Sequence, residues 1–302
     1  MNEPQVSAVI VSFNTREDLL RCLGSLAANV TLPLETIVVD NASADGSVEA
    51  VRARFPRVEL IANAANAGFA RANNQGLERA RAPLLLVLNS DAEVQPGAVE
   101  AMVAVLARRP DVGIVGPRTV GSDGGPQVSF GPRLSILNEL AQRQLVRGVR
   151  AGWPPALRRA QAISSRPGEP AWVSGSCMLA RREALEAVGY FDEAFFLYEE
   201  DVDLCLRVRR AGFKVAFVPE ALVVHHLGRS MATDPERARF EYHRSHLLLY
   251  RKHKHPPAVA LLRWQLLVRS AAGWLAAAGP GEARRRRRRS HGRILGLALR
   301  GR

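Results

Sequence analysis

Cysteine is scarce in this chain. The 302 residues include three, Cys22, Cys177 and Cys205, at scattered positions and without a CxxC pair. That pattern suggests neither a disulfide framework nor a zinc site, and it fits a reducing compartment. A secretion signal is not expected, because the strand-like run Val6–Val11 begins almost at once, without a basic n-region or a cleavage site before it. No GxGxxG follows that run, which counts against a dinucleotide-binding oxidoreductase. No internal repeat is present. The apolar stretch Pro256–Ala278 is interrupted by Arg263 and Arg269, so a membrane-spanning helix is not expected there.

Acidic residues are nearly missing from the C-terminal end. From Arg251 onward there are 14 Lys or Arg and one acid, Glu282. Removing these from the chain's 42 basic and 29 acidic residues leaves 28 of each sign. The net charge of +13 therefore belongs to a basic tail on a neutral body. The hydrophobic fraction of 47% is enough for a full core in one large α/β domain with a smaller appendage.

The first third alternates short apolar runs with helical patterns. Strands are expected at Val6–Val11, Glu35–Val39, Val58–Ala62 and Leu84–Leu88. Helices are expected after Asn14-Thr15, with Asp18 completing a capping box, and at Ser43–Arg54, Phe69–Arg81 and Pro96–Arg108. This rhythm predicts a doubly wound, mostly parallel sheet with helices on both faces. Residues 118–170 read as a loop-and-helix insertion over the site, with a helix at Leu134–Arg150 broken by Trp153-Pro154-Pro155. Order resumes with a strand at Trp172–Ala180, helices at Arg182–Val188 and Asp201–Ala211, and short strands at Lys214–Val218 and Leu222–Val224.

In such sheets ligands bind beyond the carboxyl ends of the strands. The residues expected there are Ser12-Phe13-Asn14, Asp40-Asn41, Asn63–Asn66 and Asn89-Ser90-Asp91-Ala92-Glu93. Asp91 and Glu93, just past a buried strand, could hold a hard divalent cation that neutralises a diphosphate; they could also be solvated acids capping the next helix. The acids of Glu199-Glu200-Asp201-Val202-Asp203 lie beside Phe195, Phe196 and Tyr198. Acids favour a helix N-terminus through its dipole, but a carboxylate in an aromatic pocket could also serve as a general base. His225 and His226 follow a strand, where a histidine is either a satisfied side chain or part of a metal or phosphate site. Asn66-Ala67-Gly68 before a helix forms either ordinary capping or an anion-binding turn, with Arg71 and Asn74 on one face.

Taken in order, these blocks resemble the inverting family 2 glycosyltransferases of GT-A fold, especially bacterial rhamnosyltransferase-like members. The resemblance rests on VSAVIVSFNTREDLLRCLGSL, ETIVVDNASADGSVE, NAGFARANNQGL, LLLVLNSDAEVQPGAVEAM and VSGSCMLARREALEAVGYFDEAFFLYEEDVDLCLRVRRAGFKVAFVPEALVVHHLGRS, with a fainter match in HRSHLLLYRKH. It covers roughly residues 6–255 apart from the middle. It implies a nucleotide-diphosphate sugar donor and a divalent metal, Mg²⁺ or Mn²⁺. Asp40 would contact the base, and Phe13, Asn14, Asn66, Gly68, Arg71, Asn74 and Ser90 would line the donor pocket. Asp91 and Glu93 match the D-x-D metal motif, with Glu in place of the second Asp. His225, five residues before Ser230, would join the metal or diphosphate site, with His226 as its substitute. Glu200-Asp201 matches the acidic pair whose second member acts as base.

The donor guess is rhamnose from a thymidine diphosphate carrier, with galactofuranose, galactose or mannose open. The acceptor would be a glycan or a polyprenyl-linked glycan. Residues 1–230 would be the catalytic domain and 231–302 a helical, basic segment. In that segment Trp264, Leu266, Leu267, Trp274 and Leu275 suggest an amphipathic helix in a membrane interface, with Arg284–Arg289 on anionic lipid. A cytoplasmic enzyme at the inner face of the membrane follows. A disordered, solvated tail is the plainer alternative. Nucleic acid is not expected as a partner, since the body is neutral. A nucleotidyltransferase would open with a Gly-rich basic loop that is missing here. A non-catalytic polysaccharide- or nucleic-acid-binding protein would have no use for every acidic motif.

Overall fold

The computed structural model describes residues 3–226, 235–279 and 281–300. The expected domain boundary at 230, and Ser230 itself, lie outside the described residues. The described residues fall into two compact units. One comprises those within Met1–Ala194 and Glu200–Ser230, the other those within Phe195–Glu199 and Met231–Arg302.

In the first unit, β1 (Val6–Ser12), β2 (Leu34–Asp40), β3 (Glu59–Ala62) and β4 (Leu84–Asn89) run parallel in the order β3-β2-β1-β4. They are joined by α1 (Arg16–Asn29), α2 (Ser47–Arg54) and α3 (Phe69–Arg79). β1 is buried along its whole length, which explains its unbroken apolar run. Successive strand side chains face opposite sides. Val6, Ala8 and Ile10 therefore join Leu19, Leu23 and Leu26 of α1 in one core layer, while Val9 joins Ala70 and Leu77 of α3 in the other. α3 lies so close to the sheet that a Cβ on Gly76 would come within 2.4 Å of Val9 Cγ1. Gly76→Ala should cost about 1–3 kcal/mol through overpacking, read as a lower urea midpoint with unchanged m.

The chain continues through β5 (Ala92–Val94), α4 (Ala98–Arg108), β6 (Val112–Val120), β7 (Pro126–Gln127) and β8 (Phe130–Gly131). It then forms α5 (Ile136–Arg150), α6 (Pro154–Ser164), β9 (Trp172–Val173), β10 (Cys177–Arg181), α7 (Arg182–Glu186), α8 (Glu200–Arg210) and β11 (Lys214–His225). Beyond β4 the sheet order is β10-β6-β11-β5. β10 is antiparallel to both β4 and β6, and β11 is parallel to β6. Among the described residues nine strands form this sheet, while β8 and β9 pair separately. The parallel rhythm expected from the sequence thus holds for the first four strands, and the second half is mixed.

The sheet has to curl. β5 starts three residues after β4 ends, a reach of about 11 Å at most. In a flat sheet its place beyond β11 would lie four strand spacings away, about 19 Å. Curling closes that gap and brings the end of β11 to the residues between β4 and β5.

Several local expectations change. The helix over 134–150 does end before Trp153-Pro154-Pro155, but the same prolines start a further helix, α6, where a missing N–H costs nothing. The apolar run of β6, interrupted by Gly113, Gly116 and Pro117, escaped the sequence reading. The expected strand over 172–180 is two strands. The two expected strands after 214 are one, with a register shift between Val218 and Leu222 at Pro219, which has no N–H to donate.

All three cysteines are buried and free. Loss of solvation raises the Cys22 thiol and pushes those of Cys177 and Cys205 up to about 12. At pH 8 the native chain should leave an aromatic disulfide reagent unreacted, and denaturation should release three equivalents.

The second unit contains α9 (Pro235–His253), α10 (Pro256–Ala276) and α11 (Glu282–Arg300). Residues 195–199 pack on α9: Ser245 Oγ donates to Leu197 O at 2.8 Å, and His246 Nδ1 lies 2.9 Å from Glu199 Oε1. α10 and α11 form a helical hairpin in which Arg263 donates to the final carbonyls of α11, Ala298 O and Leu299 O, at 3.0 Å each. No helix among the described residues is long and apolar enough to cross a membrane.

Candidate active site

The carboxyl ends of β1, β2 and β4 lie side by side, with Ser12 opposite Asp40 and Val11 opposite Asn89. Ser12 Oγ, Thr15 Oγ1 and Ser90 Oγ form a buried hydroxyl chain, with separations of 3.1 and 2.8 Å. The expected capping box at Thr15 is therefore absent. Thr15 is the N-cap of α1 but makes no side-chain cap bond, because its hydroxyl is committed to Ser12 and Ser90. Asp18 pairs instead with Arg21.

On the β2 side, Asp40 Oδ2 accepts the Ser43 N–H at 2.9 Å. Its Oδ1 is buried and has no hydrogen-bond partner among the described residues. A buried carboxylate oxygen left open costs free energy unless something binds it. Asn14 and Ala42 flank this acid in the left-handed region, with φ 54 and 67. Asn14 is tied to the β2 loop by its N–H donating to Ser43 Oγ and its Oδ1 accepting the Ala44 N–H. Phe13 is half-buried beside it.

The Asn66 turn is built by two asparagines. Asn66 Oδ1 accepts the Gly68 N–H at 2.9 Å, and Gly68 takes φ 88. Asn41 Oδ1 accepts the Ala67 N–H, while its Nδ2 donates to Gly68 O. Asn41 had no assigned role in the sequence; its position beside Asp40 was the only signal. Asn74 does not present its amide to a ligand space. It bonds both ways with the Phe191 backbone, at 2.9 and 3.0 Å, and donates to Glu193 Oε1 at 3.2 Å. Arg71 lies 3.8 Å from the other Glu193 oxygen and is 62% exposed. Glu193, which the sequence did not single out, thus gathers both residues of that helix face.

At the end of β4, the buried Asp91 meets His225. Asp91 Oδ1 and His225 Nε2 are 3.1 Å apart, and Asn89 Nδ2 is 3.5 Å from the same nitrogen. β11 delivers His225 through its pairing with β5, where His225 faces Ala92 and His226 N–H donates to Asp91 O at 2.9 Å. Glu93 does not join them. Its Oε1 lies 2.6 Å from His226 Nε2 and 3.4 Å from Arg21 Nε. No group of three metal-binding side chains occurs among the described residues. Two adjacent ligands on an ion with bonds near 2.1 Å stand about 3.0 Å apart in octahedral geometry. The Asp91–His225 separation fits that spacing, and Mg²⁺-like ions bound to diphosphates need only one or two protein ligands.

Asp201 reaches the same end of the sheet through β10. Asn89 N–H donates to Ser176 O at 2.9 Å, and the neighbouring Gly175 N–H donates to Asp201 Oδ2 at 2.7 Å. Asp201 Oδ1 accepts the Val202 N–H at 2.8 Å. A Cβ at position 175 would stand 3.1 Å from Asp201 Cβ, so glycine permits this approach. Glu200 is buried at the start of α8, and Asp203 is fully buried and pairs with Arg207 at 2.6 Å. The acid cluster therefore divides: Asp203 pairs with Arg207, and Asp201 is held by the Gly175 and Val202 amides.

The stretch 118–170 shapes a separate hollow. A cavity of about 530 Å³ is lined by Phe130, Leu145, Arg159, Ile163, Arg166 and Phe217. α5 buries none of its residues against the rest of the unit.

Comparison with known proteins supports the family resemblance and the fold. The profile of the glycosyltransferase-like family 2 matches residues 4–243. An N-acetylglucosaminyl-diphospho-decaprenol L-rhamnosyltransferase of Mycobacterium tuberculosis is 33% identical over 273 residues, covering 85% of this chain and 88% of that protein. Among solved structures, the mannosyltransferase PcManGT from Pyrobaculum calidifontis, in complex with GDP-Man and Mn²⁺, matches with a TM-score of 0.60 at 19% identity, over 100% of this chain and 88% of that one. GalNAc-T7 with UDP, GalNAc and Mn²⁺ matches with a TM-score of 0.56 at 17% identity, over 74% and 43%. These likenesses show the GT-A type of fold that the motifs implied. With the family profile matching residues 4–243 and the relative covering 85% of the chain, this protein belongs to the glycosyltransferase-like family 2.

Proposed function

We propose that the chain transfers a sugar, with inversion, from a nucleotide diphosphate to a hydroxyl of a lipid-linked glycan, in the synthesis of a cell-surface polymer. The first choice of donor is thymidine diphosphate rhamnose, because the Mycobacterium tuberculosis relative is a rhamnosyltransferase and its acceptor carries decaprenol. The observations that support the reading are the pairing of Asp91 with His225 at the end of β4 and the amide-held Asp201, whose partner Gly175 adjoins the Ser176 bonded to Asn89.

Asp40 Oδ1 would receive a donor N–H from the base. The hydroxyls of Ser12, Thr15 and Ser90 and the Asn66 turn would border the donor. Asp91 and His225 would hold a divalent cation, Mg²⁺ or Mn²⁺, whose chemistry when bound is to offset the charge of the leaving diphosphate. Asp201 would accept the proton of the acceptor hydroxyl as that oxygen attacks the anomeric carbon from the face opposite the diphosphate. One displacement through an oxocarbenium-like transition state inverts the centre. Both Asp201 oxygens are aligned by backbone amides, so the base needs no reorganisation. The excursion 118–170, with its arginine-rimmed apolar cavity, would serve the acceptor. The enzyme would work at the inner face of the cytoplasmic membrane, held there by its basic C-terminal segment.

A thermal-shift panel of nucleotide sugars, each with Mg²⁺ or Mn²⁺, tests the donor class. Ligand at 100 times its Kd should stabilise the chain by about 2.7 kcal/mol. A panel in which no nucleotide sugar raises Tm in the presence of metal would remove this reading.

A further inference from the structure

We propose that one face of α10, formed by Leu261, Trp264, Val268 and Leu275, inserts into the surface of an anionic bilayer while the arginine run of α11 holds the lipid headgroups. This deepens the membrane reading above and rests on it.

The spacing of these four residues, three, four and seven positions apart, puts them on one side of a helix. All four are exposed, at 48%, 64%, 48% and 64%. The opposite side of α10 carries Leu262, Leu266 and Ser270, which are buried within the second unit. Packing therefore keeps Trp264 and Leu275 of the face the sequence suggested and replaces the rest with Leu261 and Val268. Leu266 is withdrawn into the core, and the Trp274 ring is covered by the Arg288 guanidinium at 3.8 Å. That contact also fixes where the charges lie, because it sets the Arg284–Arg289 run of α11 beside the C-terminal half of α10. All six of these arginines are exposed. The single acid of α11, Glu282, pairs with Arg286.

An exposed apolar stripe beside a block of arginines restricts the occupant. A second copy of this chain across a two-fold axis would bring one arginine run near the other, which like-charge repulsion opposes. Nucleic acid would satisfy the arginines but leave Leu261, Val268 and Leu275 in water. A bilayer rich in anionic lipid meets both needs, with acyl chains for the stripe and phosphates for the arginines. Arg263 is compatible with a shallow position, since it is committed to the end of α11 rather than to the stripe.

The test uses the full chain and vesicles of phosphatidylcholine with phosphatidylglycerol at physiological salt. The variant Leu261→Ser/Trp264→Ser/Val268→Ser should float with the vesicles about tenfold less than the unaltered chain. It should keep the same helical circular dichroism and the same metal-dependent hydrolysis of nucleotide sugar. Brominated lipid should quench tryptophan emission in Trp274→Phe but barely in Trp264→Phe. Equal flotation of the triple variant, or quenching that follows Trp274, would overturn the assigned face while leaving membrane binding in place. An unaltered chain that does not float would overturn membrane binding itself. Retained DNA by such a non-floating chain would assign the arginines to nucleic acid instead.

Discussion

Asp201→Asn should lower sugar transfer by about 10²–10⁴-fold, the usual contribution of a positioned general base, while donor binding persists. The substitution removes a carboxylate able to take a full proton, yet keeps nearly the same shape. The asparagine carbonyl can still accept the Gly175 N–H that Asp201 Oδ2 accepts now at 2.7 Å. Its NH₂ group must then face the Val202 N–H, which is bonded to Oδ1 in the native chain. That mismatch costs about 1 kcal/mol or a little more, a small drop in Tm that does not account for a loss of three orders of magnitude. The measurements are initial rates of transfer and the Tm increment on adding donor and metal. A variant with full turnover would take Asp201 out of the base role. Loss of the donor-induced increment would mean that Asp201 serves donor binding rather than acceptor activation.

Asp91→Asn should cost a comparable amount by a different route. Stabilisation of a leaving diphosphate is worth several kcal/mol, about 10²–10⁴ in rate. The loss here should extend to binding, so the Tm increment from nucleotide sugar with Mn²⁺ should shrink along with the rate. Glu93→Gln is the informative contrast, because the two acids look alike in the sequence. Glu93 is engaged with His226 and Arg21, so its replacement should leave turnover within about tenfold, the effect of a supporting contact rather than of a ligand. Metal titrations of both variants separate the cases. Equal losses from the two would show that Glu93 swings to the metal when donor binds, and an unimpaired Asp91→Asn would remove Asp91 from the site.

The contrast between Asp91 and Glu93 shows how far local pattern reaches. Both stand just past β4, and a D-x-E spacing offers no way to rank them. The partner that ranks them, His225, lies more than a hundred positions away, and it arrives only because β5 pairs with β11 across the curl. Asn74 is a similar case. Its helix position relative to Arg71 was readable, but its amide is taken by the Phe191 backbone, a contact 117 residues distant in sequence. α6 was missed for a local reason: Pro154-Pro155 reads as a break, and the same pair is well suited to a first helical turn.

The layered part of the protein is legible along the chain. Apolar runs at Val6–Ser12, Leu34–Asp40 and Leu84–Asn89 specify strands buried on both faces. The helical spacing of Leu19, Leu23 and Leu26 specifies what covers one of those faces. These are properties of burial along a single element, and periodicity records burial directly. Tertiary packing settled which acids face which histidines and which side of α10 is left uncovered. Those outcomes depend on sheet order, on a curl imposed by the short link from β4 to β5, and on the docking of α11 against α10. Each is a relation between distant segments, and the pattern within either segment is the same whichever neighbour it meets.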